Sequence, residues 1–171
     1  MKVGFFFSSI AATCLLIGCS TAGPPLKIGG DGTSVSRLVG TWQVLEFRDT
    51  DAAGKISYAY GEHPTGYIVY DATGRVHIQV MRTPATPPFA KDDAHGTDQE
   101  VRSAYDGYIA YFGTYDFDEA QGTVIHRVQG SLMPSYTGTD QPRPIRIVGD
   151  DLVIEGKTPE GSFYRHLRRM R

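Results

Sequence analysis

The sequence predicts an all-β domain, an up-and-down antiparallel β-barrel of about nine short strands with one short helix. Three observations carry that expectation. Short apolar or alternating runs recur from Arg37 onward, each bounded by turns containing Gly or Asp. The chain holds 20 glycines, 10 prolines and 10 tyrosines, which favour turns and strands over long helices. The connections between runs are mostly local, so the strands form a meander, and a meander of this size hides its edges by closing on itself.

Gly40–Arg48 (GTWQVLEFR) is the first strand, Asp49–Gly54 a turn, and Ile56–Tyr60 the second strand. Gly66–Tyr70 and Arg75–Met81 flank Asp71-Ala72-Thr73-Gly74, a hairpin connection with Gly where a left-handed residue is convenient. The proline-rich stretch Thr83–Gly96 is the longest loop. Asp98–Tyr108 reads as the helix, with Val101, Ala104, Tyr105 and Tyr108 at helical spacing. Tyr111–Phe117 and Thr123–Gln129 are joined by Asp118–Gly122, and Pro144–Val148 and Leu152–Glu155 by Gly149–Asp151. Ser162–Arg169 is the final strand.

Charge and composition narrow the function. Lys and Arg number 17 against 19 for Asp and Glu, a net charge of −2, which excludes a dominant basic footprint for nucleic acid. A chain 40% hydrophobic and 21% charged can build a core and is not a disordered one. Asparagine does not occur, so there is no N-glycosylation acceptor.

Residues 1–18 read as a signal peptide: a basic Lys2 precedes a mostly apolar run too short for a membrane span. The run closes in Leu16-Ile17-Gly18-Cys19, which resembles the lipobox of bacterial lipoproteins. That resemblance implies cleavage after Gly18 and a diacylglycerol on Cys19. Ser20, rather than Asp, implies sorting to the outer membrane, facing the periplasm of the cell envelope. The alternative is an ordinary secretory signal with a chance cysteine. Residues 19–36, rich in Gly, Pro, Ser and Thr, read as a flexible tether, and 37–171 as the barrel domain. Gly29-Gly30-Asp31-Gly32 follows no strand and opens no helix, so it belongs to the tether and not to a phosphate loop. With Cys14 in the signal and Cys19 in the anchor, no cysteine remains for a disulfide, and the hydrophobic core must hold the domain.

Leu38-Val39-Gly40-Thr41-Trp42 resembles the Gly-x-Trp opening of the first lipocalin strand. There the Trp plugs the closed end beneath a late basic residue, a part open here to Arg169 or Arg171. Ala110–Tyr115 (AYFGTY), the downstream Val124-Ile125-His126, Pro134 and Gly149-Asp150-Asp151-Leu152 are similar in kind and order to the bacterial and fungal lipocalin-like domain family. The similarity spans Leu38 to about Arg169. It implies the lipocalin-like barrel and leaves function open. Two departures stand out: Gln141-Pro142-Arg143-Pro144 sets prolines beside the Arg, which points Arg143 to the barrel rim, and the final strand lacks the family's Trp.

Alternation supplies the candidate site. His126 shares a face with Val124 and Val128, which puts it inside, either as a ligand reader, as a proton carrier near neutral pH, or as a core His satisfied by neighbours. Tyr67, Tyr70, Tyr108, Tyr111, Phe112 and Tyr115 either line a pocket or fill the core. Arg165, in phase with Phe163 and Leu167, points inward and needs a carboxylate partner or an acidic ligand. Arg146 lies opposite Ile145 and Ile147; it faces solvent if they face in and is a buried anion partner if they do not, and prolines nearby can shift that register. Glu46, in phase with Trp42 and Val44, is the acidic candidate on an early strand. The ligand-binding candidates are therefore Tyr70, Tyr108, Tyr111, Tyr115, His126, Arg143 and Arg165. The five scattered histidines form no metal-ligand spacing, no pattern calls for a cofactor, and no nucleophile elbow is present.

Three functions fit this pattern. The first is a lipid-anchored envelope protein whose barrel binds a small hydrophobic or amphipathic molecule. The second is an isomerase- or cyclase-type cavity enzyme with His126 and a Tyr as acid and base, and the third an envelope interaction protein with a filled barrel. A cavity of roughly 300 Å³ or more separates the first two from the third.

Overall fold

Alternating burial makes the strands, and short turns set their order. A computed structural model describes residues Val35–Arg171. The expected signal peptide, the lipidation site Cys19 and the tether through residue 34 lie outside the described residues. A single helical turn, α1 (Val35–Leu38), leads into β1 (Gly40–Asp51), the two-residue β2 (Ile56–Ser57), β3 (Thr65–Tyr70) and β4 (Arg75–Met81). Helix α2 (Asp98–Asp106) precedes β5 (Tyr108–Asp118) and β6 (Thr123–Ser131). A 3-10 turn, Pro134–Tyr136, then leads to β7 (Asp140–Val148), β8 (Asp151–Thr158) and β9 (Gly161–Arg169).

Each strand from β3 to β8 pairs antiparallel with its successor, β1 pairs with β3, and β9 returns to β1 from Trp42↔Arg169 to Asp51↔Gly161. The barrel therefore closes with eight strands, as the meander predicts. The ninth, β2, is a short appendage on Asp49 and Thr50 of β1.

The β3–β4 hairpin shows how local chemistry sets the connections. Asp71 Oδ1 accepts from the Thr73 N–H at 2.8 Å and the Arg75 N–H at 2.9 Å, and Gly74 takes φ +82°. The Arg75 bond, followed by one from the Thr73 hydroxyl at 2.7 Å, lowers the Asp71 carboxyl's pKa. At the other end of the barrel Gly161 opens β9 so close to β1 that a Cβ would lie 1.9 Å from the Thr50 carbonyl oxygen. That approach admits only glycine.

On β4, Val76, Ile78 and Val80 are buried while Arg75, His77 and Gln79 are exposed, so one face enters the core. The core gathers at one end around Leu38 and Trp42, both fully buried. The Trp42 indole N–H donates to the Leu38 carbonyl at 2.8 Å. Arg169 lies over the Trp42 ring at 4.2 Å and donates to the carbonyls of Val39, at 2.8 Å, and Arg37. The late basic residue is thus Arg169; Arg171 instead pairs with Asp150 at 2.6 Å.

The helix and β1 depart from expectation, and β7 keeps to it. The helix ends at Asp106, because Gly107 caps it and Tyr108 pairs with Met81 at the start of β5. Its capping box, Thr97 with Glu100, is intact, but no α2 residue is buried, so the periodic Val101 and Tyr105 stay exposed. On β1 the register with β9 shifts between Val44 and Glu46. Leu45 is the extra residue, and the shift turns Glu46 off the inner face and Phe47 onto it. On β7 the prolines do not shift the phase: Gln141, Arg143, Ile145 and Ile147 are the less exposed residues, and Arg146 is exposed, as expected.

Candidate functional site

The end opposite Trp42 opens into a cavity of about 450 Å³. Its apolar wall comes from inward positions on four strands: Ile68 of β3, Ile78 of β4, Ile109 of β5 and Ile154 of β8. Phe47 and Phe163 narrow it, and Tyr111, His126, Gln141, Arg143, Arg165 and Asp49 supply the polar groups. A space of this size, mostly apolar with a few converging polar groups, suits a small organic molecule. The barrel is not filled.

The prolines shape the wall beside Arg143. Ile145 donates its N–H to Gly122 at the edge of β6, so alternation aims the nitrogens of Pro142 and Pro144 toward β8. Neither carries a hydrogen to donate. The β7–β8 ladder accordingly ends at Ile145↔Ile154, while β8 continues with β9 to Thr158↔Gly161. Gln141 and Arg143 therefore lie on a stretch of β7 bonded only to β6.

His126, fully buried on β6, is clamped between two phenols. The Tyr70 hydroxyl lies 2.8 Å from Nε2 and the Tyr111 hydroxyl 2.8 Å from Nδ1. Burial, helped by the Arg143 charge, pushes the imidazole pKa down to about 3, so the ring is neutral at physiological pH. This corrects the expectation of a proton carrier near neutral pH. A neutral ring has one N–H and one acceptor nitrogen. Tyr70 is fully buried and among the described residues bonds only to His126, so its proton has one acceptor there, Nε2. Nδ1 then carries the hydrogen and donates it to Tyr111. With its oxygen accepting, Tyr111 points its own proton into the cavity. The opposite tautomer would strand the Tyr70 proton at a cost of about 1–3 kcal/mol. Burial also raises Tyr111 to about 12 and Tyr70 well above the usual phenol range, so both hydroxyls keep their protons. Tyr136, from the 3-10 turn, meets Tyr111 edge-on at 5.9 Å.

Two guanidinium groups face the cavity in unlike settings. Arg165 lies 3.4 Å over the Phe47 ring and donates to Asp49 Oδ1 at 2.7 Å, to the Tyr164 carbonyl at 2.9 Å and to the Arg48 carbonyl. Burial lowers its pKa, and Asp49 opposes that. Arg143 donates to the Pro142 carbonyl, at 3.0 Å, and to Gln141 Oε1, at 3.2 Å, and its charge and a side-chain hydrogen bond also act on the Tyr111 hydroxyl.

Of the candidates read from the sequence, Tyr111, His126, Arg143 and Arg165 line the cavity together. Arg143, expected at the rim, faces inward beside Tyr111. Tyr70 sits behind His126. Tyr115 packs edge-on against Tyr70 at 5.1 Å and donates to the Asp71 carbonyl at 2.9 Å, toward the closed end. Tyr108 belongs outside: the inward residues of β5 are Ile109, Tyr111, Gly113 and Tyr115, and the Tyr108 hydroxyl meets Gln79 at 3.5 Å. Tyr67 and Phe112 are likewise exposed on the outer face. Glu46 is not the acidic partner; it pairs with Arg48 at 2.7 Å. Asp49 takes that part, hidden from sequence reading because the bulge at Leu45 inverts the alternation. Gln141 was in phase with Arg143, a signal that proline spacing obscured. Nothing in the sequence marked Tyr136.

The sequence model of a family described as a lipocalin-like domain matches residues 39–164. The 4'-hydroxy-3'-methoxypropiophenone carrier protein of Aspergillus oryzae is 36% identical over 88 residues, 47% of this chain and 78% of that protein. Among solved structures, a redesigned β-barrel aligns at 16% identity and a TM-score of 0.40, over 80% of this chain and 94% of its own.

Proposed function

Since the chain belongs to the lipocalin-like domain family, we propose that its barrel binds and carries a small amphipathic molecule in the cavity between Trp42 and the open end. The observation that carries this reading is the cavity of about 450 Å³, with isoleucine walls and a convergent polar cluster on β5, β6 and β7. The name of the fungal relative, a carrier of an aryl ketone, supports the same class of cargo. His126, with both nitrogens engaged by tyrosines, acts as the fixed centre of that cluster and sets the direction of the Tyr111 proton.

Native mass spectrometry of protein purified without detergent from its own host tests the carrier. A reproducible adduct of small-molecule mass is expected. A bare mass that persists after exposure to host extract would sink the proposal.

The carrier works from the cell envelope, held at the outer membrane by diacylglycerol on Cys19. The run Leu16-Ile17-Gly18-Cys19 and the following Ser20 support that placement. Cys19→Ala should move the protein from the membrane to the soluble fraction and abolish labelling by a radioactive fatty acid. Unchanged membrane attachment of the variant contradicts the anchor.

A further inference from the structure

We infer that the cargo is an amphipathic organic oxyanion, its ionised oxygen held by Arg143 and Tyr111 and its apolar body lying against Ile68, Ile78 and Ile109. The inference rests on the carrier reading and specifies the chemistry of the same site.

The two inward guanidiniums show where an anion is missing. Arg165 already has its carboxylate, Asp49 at 2.7 Å. Arg143 has no ion pair among the described residues. Its acceptors, the Pro142 carbonyl, the Gln141 amide oxygen and the Tyr111 phenol, are all neutral. A guanidinium has five N–H donors in a planar fork, and neutral acceptors leave both its charge and part of that fork unmatched. A half-buried cation beside apolar walls is stabilised by an acceptor carrying negative charge.

Tyr111 supplies the second donor. Because Tyr70 fixes the imidazole tautomer, Tyr111 accepts from Nδ1–H and presents its own proton to the cavity. The Arg143 charge acts on Tyr111 and on His126, which places guanidinium, phenol and imidazole in one cluster.

The acidic groups of the lining do not answer this cluster. Asp49 is taken by Arg165. Asp51 Oδ1 accepts from the N–H groups of Ala53 and Lys55, each at 2.9 Å, and so serves its own turn. Glu160 is exposed in the β8–β9 turn at the mouth. The lining's acceptors Asp49 and Gln141 Oε1 are thus engaged by arginines, the groups left to meet a ligand, Arg143 and Tyr111, are donors, and their complement is an acceptor. A neutral carbonyl would satisfy Tyr111 but leave the Arg143 charge unmatched. An oxyanion, whether a carboxylate or the phenolate of an acyl-acidified phenol, satisfies both.

The test begins by identifying the adduct carried by the full chain from its host: an acid is expected, and a cargo with no ionisable oxygen overturns the inference. Calorimetric titration then compares 3-phenylpropanoic acid with its methyl ester, and 4'-hydroxy-3'-methoxypropiophenone above its phenol pKa with its 4'-O-methyl ether. The ionised member of at least one pair should bind about tenfold tighter or more. The pair that shows the preference distinguishes carboxylate from phenolate. Arg143→Met should bring the ratio of ionised to neutral affinity to about one, whatever it does to ester or ether binding itself, and Arg143→Lys should keep part of the preference. Arg143→Gln serves as the neutral variant if Met disturbs folding, as judged by the melting temperature. Equal binding of ionised and neutral members, or a preference that survives loss of Arg143, overturns the oxyanion inference and leaves the carrier standing. No adduct and no binding by any probe removes the carrier and the inference with it.

Discussion

Both ends of the barrel set arginine against aromatic rings, and the use differs. At the closed end Arg169 caps Trp42 at 4.2 Å and donates to the carbonyls of Val39 and Arg37. The indole N–H is also satisfied, by Leu38. At the open end Arg143 lies 5.5 Å from the Phe163 ring with no carboxylate, and Tyr111 turns a proton into the cavity. A satisfied guanidinium over a buried ring holds the structure together; an incompletely satisfied one beside a cavity is available to bind. Between them His126 and Tyr70 carry the order of the core into the site. Substitutions at the closed end should therefore cost stability, and those at the open end affinity.

The largest expected effect is at the plug. Trp42→Ala removes a fully buried indole and should destabilise the domain by about 3–5 kcal/mol in urea unfolding. A loss below about 1 kcal/mol would place the stabilising core elsewhere.

His126 sharpens the comparison through pH. It stays neutral in the folded chain, with a pKa of about 3, but protonates near the usual imidazole value of about 6.5 when unfolded. Between those values the unfolded state binds the extra proton. Its contribution is fully present above pH 6.5 and is lost as pH falls toward 3, at roughly 1.4 kcal/mol per pH unit. His126→Phe should flatten the stability profile over that window. At neutral pH the same variant leaves the Tyr70 hydroxyl unpaired and should cost about 1–3 kcal/mol, part of which Tyr70→Phe recovers in the double variant. An unchanged pH slope in His126→Phe would falsify the buried neutral ring.

Asp49→Ala tests the satisfied cation of the open end. Arg165 is mostly buried but Asp49 is 45% exposed, so solvent screening holds the expected loss to about 1 kcal/mol. Arg143→Met should change stability least, within about 0.5 kcal/mol, because no ion pair is lost. If thermal unfolding instead shows Arg143 contributing as much as Arg169, the contrast between the ends fails.

The sequence was strongest where its signals are local. Asp71 and Gly74 make a hairpin by hydrogen bonds and a positive φ that need no distant partner. Val76, Ile78 and Val80 display their face by period alone. His126 as an inward residue and Arg165 as a cation needing a carboxylate were legible in the same way, whereas Trp42 as plug came from the resemblance of Gly40-Thr41-Trp42 to the lipocalin opening. Four residues of the cavity were therefore named from sequence alone. Tertiary structure decided the rest, because each remaining question depended on pairing across the barrel. The bulge at Leu45 is an offset between β1 and β9, and it alone replaces Glu46 by Asp49 as the partner of Arg165. Tyr108 left the helical pattern because pairing with Met81 drew it into β5. The proton on Nδ1 of His126 follows from Tyr70, 56 residues away in the chain, having one acceptor. Side-chain period is a property of the chain, whereas register, tautomer and the pairing of charges belong to the closed barrel.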